Sequence, residues 1–329
     1  MGAVSAELLP SWRTGPTRDA IVAFLDDAER LPVEQRLAVF DNDGTLWCER
    51  PAYVQYTFFV HALRRAVQRD PVLADRDEFA AVLEDDTVAI SELGLARVAT
   101  ALTGLFNGQT PEAFTAAARE FLATSRHPTL DRPTSEMRYL PMLELIDELR
   151  RRDFTVAVVS GGGTEFVRAL SRQLYGVPPE LVVGTLIDHR VDRDDLGRIV
   201  VRRTNVIAGP VNEAQAKVRA IQSCLGRRPV LAAGNSAGDR EMLEWAMSGD
   251  DPGLALLVDH DDAAREFRYQ SVSGTVAESE PITDIGSRLG WTTVSMERDW
   301  AEVFGDPTVG PGPIGAGPPD QRSKHVATN

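Results

Sequence analysis

Four apolar residues, Leu37-Ala38-Val39-Phe40, run directly into Asp41-Asn42-Asp43-Gly44-Thr45-Leu46. The run reads as a buried strand, and the glycine marks the turn that ends it. Two carboxylates, separated by one residue, therefore fall at the carboxyl end of a strand. Open α/β sheets bind ligands at such ends. Closely spaced carboxylates repel one another, so the arrangement calls for a cation or a protonated partner. A hard ion with oxygen ligands, such as Mg²⁺, suits it.

The rest of the chain repeats the alternation that a parallel sheet needs. Thr17 to Leu31 has helical spacing, and Pro141 to Arg152 is amphipathic. Phe154 to Ser160 is a nearly continuous β-branched run, as expected of a strand covered on both faces. Leu181 to Gly184 reads as a third strand. Leu186 to Val191 and Ile199 to Arg203 flank Asp192-Arg-Asp-Asp-Leu-Gly197, the pattern of a hairpin. Val211 to Leu225 reads as a helix, and Pro229 to Ala233 and Leu254 to Val258 as short strands. Strands separated by helices predict an α/β fold with a parallel sheet.

One spacing departs from this rhythm. A plain βαβ unit takes about 30 residues or slightly more, and far more than that separates the first two strands. The surplus is periodic and rich in Ala, Leu, Arg and Glu, which rules out a simple loop. The expectation is a helical insertion over residues 48–134 that closes as a lid over the end of the first strand. The core is then 1–47 together with 135–304. From Gly305 the chain turns Pro/Gly-rich, which predicts a flexible tail over 305–329.

Composition narrows the partners. A hydrophobic content of 43% supports a true core, and a formal net charge of −14 argues against nucleic acid or an anionic membrane surface. A small anionic substrate stays compatible, because local positive groups override a distant field. Cys48 and Cys224 give neither a disulfide framework nor zinc spacing, which fits a cytoplasmic setting. No apolar run is long enough to span a membrane.

Four elements deliver polar groups to one edge of the expected sheet. The first is Asp41 with Asp43. The second is Ser160-Gly161-Gly162-Gly163-Thr164, after a strand and before a helix, where a hydroxyl and bare N–H groups make an anion cradle. The third is Lys217, on the helix beginning near Val211, and the fourth is Gly234-Asn235-Ser236-Ala237-Gly238-Asp239. Together they form a kit for phosphoryl transfer. Mg²⁺ and Lys217 would neutralise the phosphate, and Ser160 and Gly161 would hold its equatorial oxygens. A carboxylate serves as nucleophile, and a second acid protonates the leaving alcohol.

The order of these motifs, from about Leu37 to Met242, resembles the haloacid dehalogenase superfamily of phosphatases, in particular its phosphoserine-phosphatase-like branch. The resemblance implies a Rossmann-like core with an inserted α-helical cap between the first and second motifs. It implies Asp41 as nucleophile and Mg²⁺ ligand, and Asp43 as general acid and base with its carbonyl on the metal. Thr45 would position the first loop beside the phosphate. Ser160 and Gly161 would bind the phosphoryl group, Lys217 would pair with it and with Asp41, and Asn235 and Asp239 would complete the metal site. Retention of Asp43 favours phosphatases over the halide-displacing members. Asn235 departs from the pattern, which usually has aspartate there.

The expected function is a Mg²⁺-dependent phosphatase acting on a small phosphomonoester through an aspartyl-phosphate. The alternatives are a phosphotransferase with the same intermediate and a non-catalytic protein that binds a phosphorylated ligand. The aromatics Trp47, Tyr53, Tyr56, Phe58 and Phe59 open the insertion, and such residues are more often core than a cation-binding wall. Glu49, Arg50, Arg64 and Arg65 are candidates to reach a substrate headgroup. The five histidines show no metal-like spacing.

Overall fold

The computed structural model describes residues 8–277 and 280–305. Its seven strands are β1 (Leu37–Phe40), β2 (Thr155–Gly163), β3 (Val182–Arg193), β4 (Ile199–Ala208), β5 (Leu231–Gly234), β6 (Leu254–Asp259) and β7 (Thr292–Ser295). They form one sheet in the order β4-β3-β2-β1-β5-β6-β7. β1 pairs in parallel with β2 on one side and β5 on the other. The strand order thus reverses direction at β1, which opens a crevice at the end where Asp41 sits. The remaining pairings are parallel except β3 with β4. This is the α/β, Rossmann-like architecture expected from the alternation of elements.

β1 shows why the sheet is covered on both faces. All four of its residues are buried. Ala38 and Phe40 point into one apolar cluster, and Leu37 and Val39 into another. Successive side chains of a strand leave on opposite faces, so an uninterrupted apolar run needs two cores.

The described residues form twelve α-helices: α1 (Pro16–Ala28), α2 (Val54–Arg69), α3 (Asp77–Leu83), α4 (Thr87–Leu93), α5 (Leu95–Gly104), α6 (Pro111–Thr124), α7 (Leu140–Arg151), α8 (Thr164–Tyr175), α9 (Gln215–Leu225), α10 (Arg240–Ala246), α11 (Ile282–Leu289) and α12 (Met296–Asp299). α9, α10 and α11 supply Ile221, Met242, Leu243 and Ile285 to the smaller core. Helices α2 to α6 all fall between β1 and β2, where the surplus spacing lies. They pack on the larger core through aromatics. Phe58 contacts the rings of Phe59, Phe106, Phe114 and Phe121, and also Phe166 on α8. One side chain therefore ties the helical insertion to the sheet-covering helix.

Several boundaries differ from the sequence reading. β2 does not stop at Ser160 but runs through the three glycines, and α8 starts directly at Thr164. The predicted third strand and the first hairpin arm are one long strand, β3. It is buried at Val182–Thr185 and largely exposed beyond, where β4 is its only partner. α9 begins at Gln215, not near Val211, because Ala214 has a positive φ of 54° that breaks the helical path. β7 is too short and too Thr-rich to show a period, and it was not anticipated. The expected tail, 305–329, lies outside the described residues apart from Gly305. Among the described residues no helix is long and apolar enough to cross a membrane.

Phe58 is 2% exposed and its neighbours are mostly rings. Truncation leaves a cavity that so many rigid groups cannot collapse to fill. Phe58→Ala is expected to lower unfolding free energy by about 3–5 kcal/mol, measured by urea titration. A loss below about 1 kcal/mol would show that the insertion is not anchored by this ring.

Candidate active site

The chain leaves β1 with the Asp41 N–H donating to the Ala233 carbonyl of β5 (2.9 Å). It then turns sharply, so that the N–H groups of Thr45, Leu46 and Trp47 all approach the Asn42 carbonyl. Gly44 makes the turn possible, with a φ of 74°. A side-chain carbon there would lie 2.0 Å from Asn235 Nδ2 and 2.9 Å from the Glu49 carboxyl carbon. Both the backbone angle and the close approach therefore demand glycine.

Lys217 draws the distant segments together. From the first turn of α9 its Nζ donates to Asp41 Oδ1 (2.5 Å), Asp239 Oδ1 (2.6 Å) and the Val159 carbonyl (2.8 Å). An ammonium has three donors, and all three are used. Lys217 is 2% exposed, so its charge depends on these partners. Burial alone would lower its pKa, yet Asp239 and Asp41 hold it above the ordinary lysine value. Asp41 is held well above the usual carboxylate range by burial and by the charge of Asp239, and Lys217 offsets part of that. Asp43 is also raised, chiefly by burial, although Trp47 Nε1 donates to its Oδ1 (2.9 Å).

The loop after β5 is held by Asp239. Its Oδ2 accepts from the N–H groups of Asn235 (3.0 Å) and Ser236 (3.1 Å), and Ser236 with Asp239 forms a capping box. Both Asp239 oxygens are thus engaged within the protein, one on Lys217 and one on the loop. Asn235 donates through Nδ2 to Glu49 Oε1 (3.2 Å) and to Ser271 (3.2 Å).

Asp41, Asp43, Gly161, Lys217 and Asn235 line one cavity of about 370 Å³. Thr45, Ser160 and Asp239 stand behind its wall. Thr45 is fully buried and donates to Asn235 Oδ1 (3.4 Å), so it supports the fourth motif and does not face the cavity. The Ser160 hydroxyl is fully buried and accepts from the Gly162 N–H (2.9 Å). The Gly163 N–H donates to Gln55 Oε1 of α2 (2.8 Å). Two of the three glycine donors are therefore not bare, contrary to the expected open cradle. Gln55 also joins the helical insertion to the second motif.

Sequence reasoning passed over several neighbours. Glu213 lines the cavity beside Gly161 and Gly238, and accepts from the hydroxyls of Ser273 and Thr275. His260, assigned no role from sequence, bridges the Gly44 carbonyl (2.9 Å) and Glu266 Oε2 (3.4 Å) beneath the first motif. Glu213 lies just ahead of the α9 helix that carries Lys217, whereas His260 reaches the site from the end of β6. Of the candidate headgroup contacts, Glu49 lines the cavity, whereas Arg50 stacks on Tyr269 and Arg65 pairs with Glu120 at the surface. Arg64 is exposed. Phe58 and Trp47 are core, while Tyr53, Tyr56 and Phe59 line the cavity.

No cluster of three or more His, Cys, Asp or Glu side chains suited to a metal occurs among the described residues. Asp41, the backbone of Asp43 and the amide oxygen of Asn235 are the oxygen donors that would hold such an ion. Four carboxylates, Asp41, Asp43, Glu49 and Glu213, share the cavity with one ammonium, Lys217. Oxygen donors with that excess of negative charge fit a hard divalent cation.

The haloacid dehalogenase-like hydrolase family model matches residues 38–244, more than half of the chain. The chain belongs to that family. The match takes in all four motifs of this haloacid dehalogenase-like hydrolase. No curated protein matches by sequence. Among solved structures, a conserved protein of unknown function from Anaerococcus prevotii DSM 20548 is 16% identical, with 84% of this chain and 89% of that chain covered and a TM-score of 0.52. A protein of unknown function from Bordetella pertussis Tohama I is 20% identical, covering 79% of this chain and 98% of its own, with a TM-score of 0.48. A probable phosphoserine phosphatase from Vibrio cholerae is 16% identical, covering 80% and 67%, with a TM-score of 0.39. With the Anaerococcus prevotii protein the likeness is one of fold.

The lysine bridge yields a pH-dependent expectation. Lys217→Met removes the charge that offsets Asp239 and Asp43, so the Asp41 pKa in the folded variant rises further above its unfolded value. The folded chain then binds more protons than the unfolded one above about pH 4, and stability falls as pH increases. Urea melts should show a deficit that is small at pH 4 and grows to about 3–5 kcal/mol near neutrality. A deficit independent of pH would contradict this electrostatic account.

Proposed function

We propose that the protein is a phosphatase that hydrolyses a small phosphomonoester through a phosphorylated Asp41. The observation that carries this reading is Asp41 held by Lys217 in the same cavity as Asp43, Gly161 and Asn235. Lys217 fixes Oδ1 of Asp41, which leaves Oδ2 as the attacking oxygen. That oxygen bonds to phosphorus as the ester P–O bond breaks. Asp43, whose raised pKa favours a retained proton, delivers that proton to the departing alcohol oxygen. It then takes a proton from water, whose oxygen attacks phosphorus and releases the Asp41 carboxylate and inorganic phosphate.

The other residues bind and orient. The Gly161 backbone bears on the phosphoryl oxygens, and the Lys217 charge draws them toward Asp41 without donating a hydrogen bond. Ser160, locked to the Gly162 N–H, shapes the loop. When bound, a Mg²⁺ ion held by Asp41, the Asp43 carbonyl and Asn235 would neutralise phosphoryl charge. Asp239 serves Lys217 and the loop rather than the ion. The helical segment 48–134 acts as the cap, docked through Gln55 and Phe58. Closure of such a segment excludes bulk water while the intermediate forms.

Turnover of a phosphomonoester panel with and without Mg²⁺ tests the reading. Wild type is expected to release phosphate, to lose activity in EDTA, and to show a phosphoryl-protein adduct in acid-quenched samples. Asp41→Asn should form no adduct and release no phosphate. Asp43→Asn should lower kcat by about 10²–10⁴-fold. Undiminished turnover by Asp41→Asn would remove Asp41 as the nucleophile.

A further inference from the structure

Beyond Asp41 the cavity changes character. Tyr56 and Phe59 of α2, Val98 and Leu102 of α5, Ile187 of β3 and Ile207 of β4 line it. Val98 and Leu102 are buried, whereas Ile187 and Ile207 are only half-buried. Leu95, also in the lining, is 58% exposed. Apolar side chains thus continue from the carboxylate end out to the mouth. An open apolar surface contiguous with polar reacting groups is the usual form of a ligand pocket.

The charges limit what can enter with a phosphate. Lys217 is the one basic side chain among the described lining residues, and Asp41, Asp239 and the Val159 carbonyl consume its donors. A second anionic group on the substrate, such as a carboxylate or another phosphate, finds no partner. The non-catalytic acids are also engaged. Glu49 accepts from the Tyr269 hydroxyl (2.8 Å) and Asn235, and Glu213 accepts from Ser273 and Thr275. A substrate ammonium would have to compete with these donors.

We infer that the alcohol portion of the substrate is an uncharged, largely hydrocarbon group seated between α2, α5 and the β3–β4 hairpin. This rests on the phosphatase reading and names the substrate class for the same site. Burial of each methylene favours the bound state by a factor of about three to four. That gain is available only while carbon is moving from water into the apolar wall.

The test uses the full-length protein with Mg²⁺ and a series of n-alkyl monophosphates from ethyl to octyl. kcat/KM is expected to rise about three- to fourfold per methylene until the cavity is filled, then level off. Ile207→Asn, on the half-buried hairpin, should reduce the octyl-to-ethyl ratio about tenfold. Neohexyl phosphate, the uncharged isostere of phosphocholine, should be preferred to phosphocholine, and octyl phosphate to phosphoserine. A flat chain-length series, or preference for phosphocholine or phosphoserine, overturns the inference. Thermal shifts with ethyl- and octylphosphonate separate the two readings. If no ester were hydrolysed while octylphosphonate still stabilised the protein more than ethylphosphonate, catalysis would fail and the apolar pocket would stand. Equal shifts by the two phosphonates would count against the pocket.

Discussion

A single ammonium group joins the end of β1, the middle of β2, the first turn of α9 and the segment after β5. Lys217 is almost wholly buried, so it keeps its protein partners or the fold is penalised. The same constraint orients Asp41, since one of its oxygens is fixed by a donor that cannot move elsewhere. Asp239 has a double duty here, with one oxygen on the lysine and the other on two backbone N–H groups. Stability and chemistry therefore share one set of contacts. The Asp41 carboxylate is positioned by the cost of leaving a buried charge alone.

The layered sheet is what lets residues 176 positions apart meet. Parallel strands all deliver their carboxyl ends to one edge, and the reversal of strand order at β1 leaves room there. The sequence carried this message well, because short apolar runs followed by Asp, Ser-Gly or Gly-Asn have few other interpretations. The presence of helices between β1 and β2 was also readable from spacing and periodicity. What the pattern left out was local geometry. The glycines after Val159 read as a loop, yet they extend β2, since glycine permits either and the pairing of Gly163 with Thr185 decides.

The site residues divide in the same way. Asp41, Asp43, Gly161, Lys217 and Asn235 were visible because each belongs to a motif at the end of a strand or near a helix start. Thr45, Ser160 and Asp239 were also visible, but their orientation was not. Sequence fixes neither which oxygen a hydroxyl faces nor whether a carboxylate is already satisfied. Glu213 and His260 were hidden for a different reason. They matter through contacts with residues far along the chain, Glu213 with Gly161 and His260 with Gly44, and no period or spacing encodes such contacts.

Asn235 occupies a place where the family resemblance leads one to expect aspartate. Its amide nitrogen points at Glu49, which comes from the far side of the Gly44 turn. A carboxylate in its place would confront the Glu49 carboxylate across that 3.2 Å contact. Position 49 thus places a carboxyl group beside the site where position 235 gives one up. The two are best viewed as one divided unit, whose amide half sits beside Thr45 and whose carboxyl half is steadied by Tyr269. In any descendant of this chain, an acidic replacement at 235 would be tolerated most readily alongside the loss of acidity at 49.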